Sequence, residues 1–401
     1  MTLVLFIFLA VYAGMLIGTI PGLALDRTGI ALLGAIVLVV FVGFSEKELL
    51  EAVDWSVLAL LFGLMIVSGQ LYFGGLYTRL VGGMSQLDLK PEVALLLTVG
   101  FSGLLSALLI NDIVCLALTP LVIQLTRGRS WNPLPHLLGL AAASNVGSAL
   151  TLIGNPQNIL ISEVMDLSFG GYFVTALPIC LIGLLWCWWV IARSFRGRWD
   201  AHQTTSSQEL IPFDRWQVFK GLIVLALTLV LFFFSSLPKY QVVLAAAGVL
   251  LLSRKMASQK MLGFIDWQFF VLITGLFVVK AALMKTHVPD EVVSWMGDRG
   301  WNLNQIPILF SLTFILSNLF SNVPAVMVLL PFVKGSLAGT VLAVSSTLAG
   351  NLLLTGSLAN LIVVQKAREE GIAVSAFDHF KLGVPITLGT LLIAMLCIYA
   401  F

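Results

Sequence analysis

Long apolar runs alternate with short polar punctuation along almost the whole chain. Setting the runs against Gly, Pro and charged residues predicts crossing helices at 2–21, 28–45, 55–78, 134–163, 171–193, 216–237, 239–254, 266–286, 338–366 and 380–401. Most have the ~17–25 residues that cross ~30 Å of hydrocarbon. Two further stretches, 91–127 and 304–335, are too long for one crossing, and polar residues interrupt each near its centre. Read as re-entrant hairpins, they return the chain to the side it came from. The crossings at 134–163 and 338–366 are also interrupted, by "GNPQN" and "GSLAN". The pattern predicts an all-α polytopic membrane protein, with a hairpin and a discontinuous helix in each half.

Composition agrees. Of 401 residues 59% are hydrophobic and 10% charged, against about a quarter charged in soluble domains. The net charge of +2 is spread over short loops and gives no footprint for nucleic acid. Met1 to Thr19 lacks a basic leader and reads as the first crossing, not a removed signal. With the hairpins in place and the N-terminus outside, 16 of the 22 Lys and Arg fall in inside segments and five outside, with Lys280 within a span. This bias fits the positive-inside rule. It places the chain in the plasma (inner) membrane and the charged linker 194–215 in the cytoplasm. Cys115, Cys180, Cys187 and Cys397 lie in apolar runs and read as inert thiols. The four histidines read as solvated, and Trp186, Trp188 and Trp189 as an interfacial belt. Glu163 and Asp166 read as the polar edge of a span, and Lys280 as a snorkelling side chain.

The halves match. "VDWSVLALLFGL" (53–64) aligns with "IDWQFFVLITGL" (265–276) at an offset of 212. "INDIVCLALTP" (110–120) aligns with "SNVPAVMVLLP" (321–331) at 211, and "GNPQN" (154–158) with "GSLAN" (356–360) at 202. The topology sets Asp54 outside and Asp266 inside, so 1–193 and 216–401 read as inverted repeats. Inverted repeats with paired broken helices point to a secondary transporter with its site near the membrane midplane.

Unpaired backbone groups cost several kcal/mol in lipid, so helix breaks survive only where protein or a wet cavity satisfies them. Freed carbonyls, Asn side chains and hydroxyls are hard oxygen donors for Na⁺, and half-helix N-termini suit anions. The candidate ion and substrate residues are Asn111, Asp112, Asn145, Ser148, Thr151, Gly154, Asn155 and Asn158 in the first half. In the second they are Ser321, Asn322, Asn351, Thr355, Gly356, Ser357 and Asn360. Asp112 is the one carboxylate placed deep in the membrane, opposite Val323 at the other tip. It can ligate Na⁺, carry a proton or repel a dianion; its structural alternative is a helix N-cap. No cofactor is called for beyond a coupling Na⁺ or H⁺. A membrane-embedded enzyme would need paired carboxylates or a His-rich metal set facing the bilayer interior, and the sequence offers neither.

"LINDIVCLALTP", "SNVGSALTLIGNPQNILI", "SNVPAVMVLLP" and "AGNLLLTGSLANLIVV" resemble the ion-transporter superfamily. That group holds arsenite-efflux permeases, NhaD-type sodium/proton antiporters, citrate carriers and divalent-anion/sodium symporters. The divalent-anion branch carries Ser-Asn-Thr at each hairpin tip. Here the tips are Ile110-Asn111-Asp112 and Ser321-Asn322-Val323, and the first is closer to the Asn-Asp tips of the arsenite and antiporter branches. The resemblance implies a homodimer with a scaffold part and a moving transport part. The expected function is coupled transport of a small anion; sodium/proton antiport and arsenite-type export are the alternatives.

Overall fold

The computed structural model describes residues 2–18, 22–200 and 211–400. These form helices joined by short turns, with no strand among the described residues beyond one isolated bridge between Trp131 and Asp200. The first ten helices are α1 (Thr2–Ile17), α2 (Arg27–Val42), α3 (Glu46–Ala52), α4 (Trp55–Phe73), α5 (Leu76–Ser85), α6 (Pro91–Leu108), α7 (Asn111–Gly128), α8 (Pro133–Ser148), α9 (Pro156–Val164) and α10 (Phe169–Ser194). The second ten are α11 (Arg215–Phe234), α12 (Lys239–Leu251), α13 (Ser258–Leu262), α14 (Trp267–Met284), α15 (Val288–Asp298), α16 (Ile306–Phe320), α17 (Asn322–Leu329), α18 (Ser336–Ala349), α19 (Leu358–Glu369) and α20 (Ala376–Ala400). Among the described residues, α4, α6, α10, α11, α14 and α20 are long and apolar enough to cross a membrane.

Two packed helix pairs fall close to 91–127 and 304–335, and two interrupted helices close to 134–163 and 338–366. The first hairpin is α6–α7, turning at Leu109-Ile110; the second is α16–α17, turning at Ser321. The broken helices are α8–α9 and α18–α19. Almost every residue of α8 is buried. A helix apolar on all sides belongs inside a bundle, and α8 packs against α6, α7, α10 and α19. Gly147 lets α8 approach α6: a Cβ there would sit 2.1 Å from the Gly103 carbonyl oxygen. Between the halves, α2 packs on α14, α12 on α4, α7 on α19, α9 on α17 and α10 on α20.

Local signals explain the helix starts. Asp54 and Asp266 cap α4 and α14, each accepting backbone N–H bonds from the first turn. The tryptophans that follow both donate their indole N–H to the carbonyl five residues earlier: Trp55 to Leu50 at 3.0 Å and Trp267 to Leu262 at 3.1 Å.

The structure corrects several expectations. The span expected over 55–78 stops at Phe73. Gly74 and Gly75 follow, and Gly75 has φ +79 in a close contact with Pro212 that excludes any side chain. The short helices α3, α13 and α15 were expected as loop, and α5 as loop beyond the end of the 55–78 span. His136 and His379 are buried, not solvated; His287 is exposed, and His202 lies outside the described residues. Trp186 and Trp188, read as a belt, tie helices together: their indoles donate to the carbonyls of Pro385 (2.9 Å) and Glu92 (3.0 Å). Glu163 is an ion-pair partner of Lys239 and not merely a polar edge.

Candidate functional site

Each hairpin tip closes onto a helix break. The backbone N–H of Asn111 donates to the Gly154 carbonyl at 3.0 Å. At the other tip the Ser321 hydroxyl donates to the Gly356 carbonyl at 3.4 Å. With its amide oriented to suit its neighbours, Asn322 also donates Nδ2 to the carbonyls of Gly356 (3.1 Å) and Ser346 (2.9 Å). Backbone freed at the break is thus satisfied by the opposing tip, as a low-dielectric setting demands. Only glycine fits at 154, because a Cβ would lie 2.3 Å from the Ser148 oxygen and 2.7 Å from the Ser106 oxygen.

The asparagines of the breaks hold the gaps open. Asn158 Nδ2 donates to the carbonyls of Ser148 (3.4 Å) and Thr151 (3.1 Å). At a spacing of 202 residues, Asn360 Nδ2 donates to those of Gly350 (2.8 Å) and Leu353 (3.3 Å). Asn145 crosses between halves. Its Nδ2 donates to Asn351 Oδ1 (2.8 Å) and Asn360 Oδ1 (3.1 Å). Its Oδ1 accepts from Ser357 Oγ (2.8 Å) and Asn111 Nδ2 (3.4 Å). Thr347, 202 residues after Asn145, mirrors it: the hydroxyl accepts from Asn155 Nδ2 (3.1 Å) and donates to Asn158 Oδ1 (3.2 Å). Asn155 Oδ1 caps α9 by accepting from the Asn158 N–H at 2.9 Å. Ser148 Oγ donates to the Asn145 carbonyl at 2.9 Å, and Thr151 Oγ1 to that of Ala107 at 2.5 Å.

Beside this network lies a cavity of about 580 Å³. Both tips reach it, through Asn111 and Asp112 and through Ser321, Asn322 and Val323, as do Thr355 and Ser357. The remaining candidates, Asn145, Ser148, Thr151, Gly154, Asn155, Asn158, Asn351, Gly356 and Asn360, are buried and do not line it. Asp112 sits in the first turn of α7 but does not cap it. The N-cap position is Ile110, which makes no side-chain cap bond. Ser321 holds φ +74 and ψ +163, a conformation strained for any residue but glycine. Among the buried polar atoms left without a hydrogen-bond partner are Asn111 Oδ1 and Ser106 Oγ, on two residues whose backbone meets Gly154. Such an oxygen set suits a hard cation.

Sequence reasoning missed several contributors. Arg27, read as a loop charge, and Asp266, read as the inside start of a span, line the cavity with Asp26 and Asp112, and Arg27 is the sole Lys or Arg among its described lining residues. Gln157 reaches Thr347 at 3.2 Å. Tyr172 accepts from Asn158 at 3.2 Å and donates to the Ala149 carbonyl at 2.7 Å. Continuing the 202-residue register would have found Thr347. Nothing in the sequence singles out Tyr172.

Comparison with known proteins places this architecture. The CitMHS citrate transporter family matches over residues 3–341. The chain belongs to the citrate transporter family. It therefore sits within the ion-transporter superfamily, as its tip and break motifs indicate. The inner membrane protein YbiR of Escherichia coli strain K12 is 31% identical over 339 residues, covering 83% of this chain and 85% of that protein. The silicon efflux transporter LSI3 of Oryza sativa subsp. japonica is 27% identical over 450 residues, covering 92% of each chain. In fold, the crystal structure of the YdaH transporter of Alcanivorax borkumensis, described as having an unusual topology, is similar. Its TM-score is 0.58 at 12% identity, covering 99% of this chain and 97% of that one. The chain is an integral membrane transporter.

Proposed function

We propose that this family member is a secondary active carrier of a small anion, coupled to Na⁺ or H⁺, working by alternating access between inverted repeats 1–193 and 216–401. The observation that carries the reading is the cavity where both hairpin tips, the second helix break and Arg27 converge. The guanidinium of Arg27 beside hydroxyl and amide donors suits a carboxylate or oxyanion, while Asp26, Asp112 and Asp266, which share the cavity, suit the coupling cation or proton. Asn111 Oδ1, Ser106 Oγ and the carbonyls around Gly154 offer a coupling cation oxygen ligands close by. Asn145 and Thr347, and likewise Asn158 and Asn360, stand 202 residues apart and hold matching places in the hydrogen-bond network; this supports the repeat relation, as do the matched Asp-Trp helix starts. The carrier is proposed as an inner-membrane homodimer with its N-terminus outside and the linker 194–215 in the cytoplasm.

Sodium/proton antiport is the second reading, favoured by Asp112 and Asp266 lining one cavity with no small-molecule anion required. Oxyanion export of the arsenite type is a third, in keeping with the silicon efflux name of one relative. Purified protein in liposomes separates them. Uptake of citrate, succinate or phosphate under a Na⁺ or H⁺ gradient supports the anion carrier. Lumenal alkalinisation after an external Na⁺ pulse with no anion present, abolished by Asp112→Asn, supports the antiporter instead.

A further inference from the structure

Arg27 opens α2 and Lys239 opens α12, 212 residues apart, the same spacing that relates Asp54 to Asp266. Their surroundings differ. Arg27 lines the cavity that both tips reach, together with Asp26, Asp112 and Asp266, and no hydrogen bond or ion pair of Arg27 is found among the described residues. Lys239 lines a second cavity of about 610 Å³, built from the segments around Glu163–Gly170 and Phe232–Tyr240, which touches neither tip. There its ammonium meets Glu163 Oε1 at 3.5 Å, with both side chains mostly shielded, at 17% and 12% exposure. The residue 202 positions after Glu163 is Gln365, which lines the first cavity with Arg27 and carries no charge. The related positions therefore differ: Lys239 is ion-paired to Glu163, whereas the counterpart of Glu163 beside Arg27 is the uncharged Gln365.

We propose that Lys239 is a second anion contact, at the opposite mouth of the transport path, masked by Glu163 in this state and released when access switches sides. The proposal rests on the anion-carrier reading above. The Glu163 carboxylate then occupies the place of the anion's own negative group. An entering anion exchanges one carboxylate partner for another, and a shielded ammonium is never left bare, which would be costly. At the other mouth Gln365 is uncharged, and although Asp26, Asp112 and Asp266 share the cavity, none of them is ion-paired with Arg27 among the described residues. α9 leads from the central breaks at Pro156 to the Lys239 mouth, and α19 leads from Ser357 to Gln365 at the Arg27 mouth.

The test is sided transport in right-side-out and inside-out vesicles holding the full chain, with citrate, succinate and phosphate as probes. Lys239→Gln is expected to raise KM roughly tenfold from one face only, the size expected for one lost charge-assisted contact. Arg27→Gln should do the same from the opposite face. Lys239→Arg should retain the wild-type KM, and Glu163→Gln should lower KM at the Lys239 face by unmasking the cation. Equal changes from both faces in Lys239→Gln, or none in a variant that elutes as a folded species, would overturn the proposal alone. A wild-type chain silent toward all three probes would overturn the anion-carrier reading, and this inference with it.

Discussion

Asn145 uses every hydrogen-bonding position it has: two donor hydrogens and two acceptor sites, all against groups of the breaks and the first tip. Asn158 and Asn360 do comparable work for their own helices. Leaving break carbonyls without their amide costs about 1–3 kcal/mol per buried group. Asn158→Ala and Asn360→Ala should therefore each lower the thermal unfolding midpoint in detergent and impair flux, by similar amounts. Two silent variants would remove the breaks from the mechanism. Asp112 behaves differently, because it neither caps α7 nor appears in any hydrogen bond among the described residues, yet lines the cavity. Asp112→Asn is expected to unfold as the wild type does while losing ion-coupled transport; coupled flux that survives would exclude Asp112. The asparagines and Asp112 were legible in the sequence because such groups are rare in apolar runs. Arg27 was not, since a basic residue between two spans reads as loop charge until the fold turns it inward. Thr347 was hidden because its counterpart is Asn145, and matching like with like passes over a hydroxyl that replaces an amide.

At the level of elements, the two helix pairs and the two helix interruptions were readable to within a few residues. Gly, Pro and Asn interrupt long apolar runs there, and the bilayer leaves few other uses for such interruptions. The short helices α3, α5, α13 and α15 were not readable, being eleven residues or fewer and too short for periodicity to stand out. The second tip carries a feature no pattern shows. Ser321 sits at φ +74, where strain costs about 1–3 kcal/mol for a residue with a Cβ. Glycine there relieves the strain at an unfolded-state entropy cost of about 0.4–1 kcal/mol. It also loses only a long 3.4 Å hydrogen bond to Gly356. Ser321→Gly should thus raise the unfolding midpoint, and a lowered midpoint would show that the hydroxyl outweighs the strain. The break facing the first tip has the opposite sensitivity. Gly154→Ala forces a Cβ against the Ser148 and Ser106 carbonyl oxygens, and rigid backbone on both sides leaves nothing to yield. A folding defect of at least the ~1–3 kcal/mol typical of overpacking is expected. A fully stable Gly154→Ala would show that the tip and break can separate without penalty.

At the scale of the molecule, the proposed carrier depends on the halves being inverted across the membrane, and matched positions make that testable. Each half places a short helix before an Asp-capped long one: α3 before α4, and α13 before α14. Lys47 and Gln259 hold the same place in α3 and α13, 212 residues apart, and both side chains are exposed. The native cysteines interfere little, three being buried and Cys397 half-buried. A water-soluble, membrane-impermeant maleimide applied to intact cells should label Lys47→Cys but reach Gln259→Cys only after the membrane is opened. The charge bias in the loops leads to the same expectation from an independent direction, because 16 of 22 basic residues gather on the side assigned to Gln259. Labelling of both positions from one side would make the repeats parallel. Arg27 and Lys239 would then share a face, and a single cavity opening toward that face could not alternate between two mouths. Labelling from opposite sides would leave one substrate path with a cation at each end, one of them held by Glu163 in the state described here.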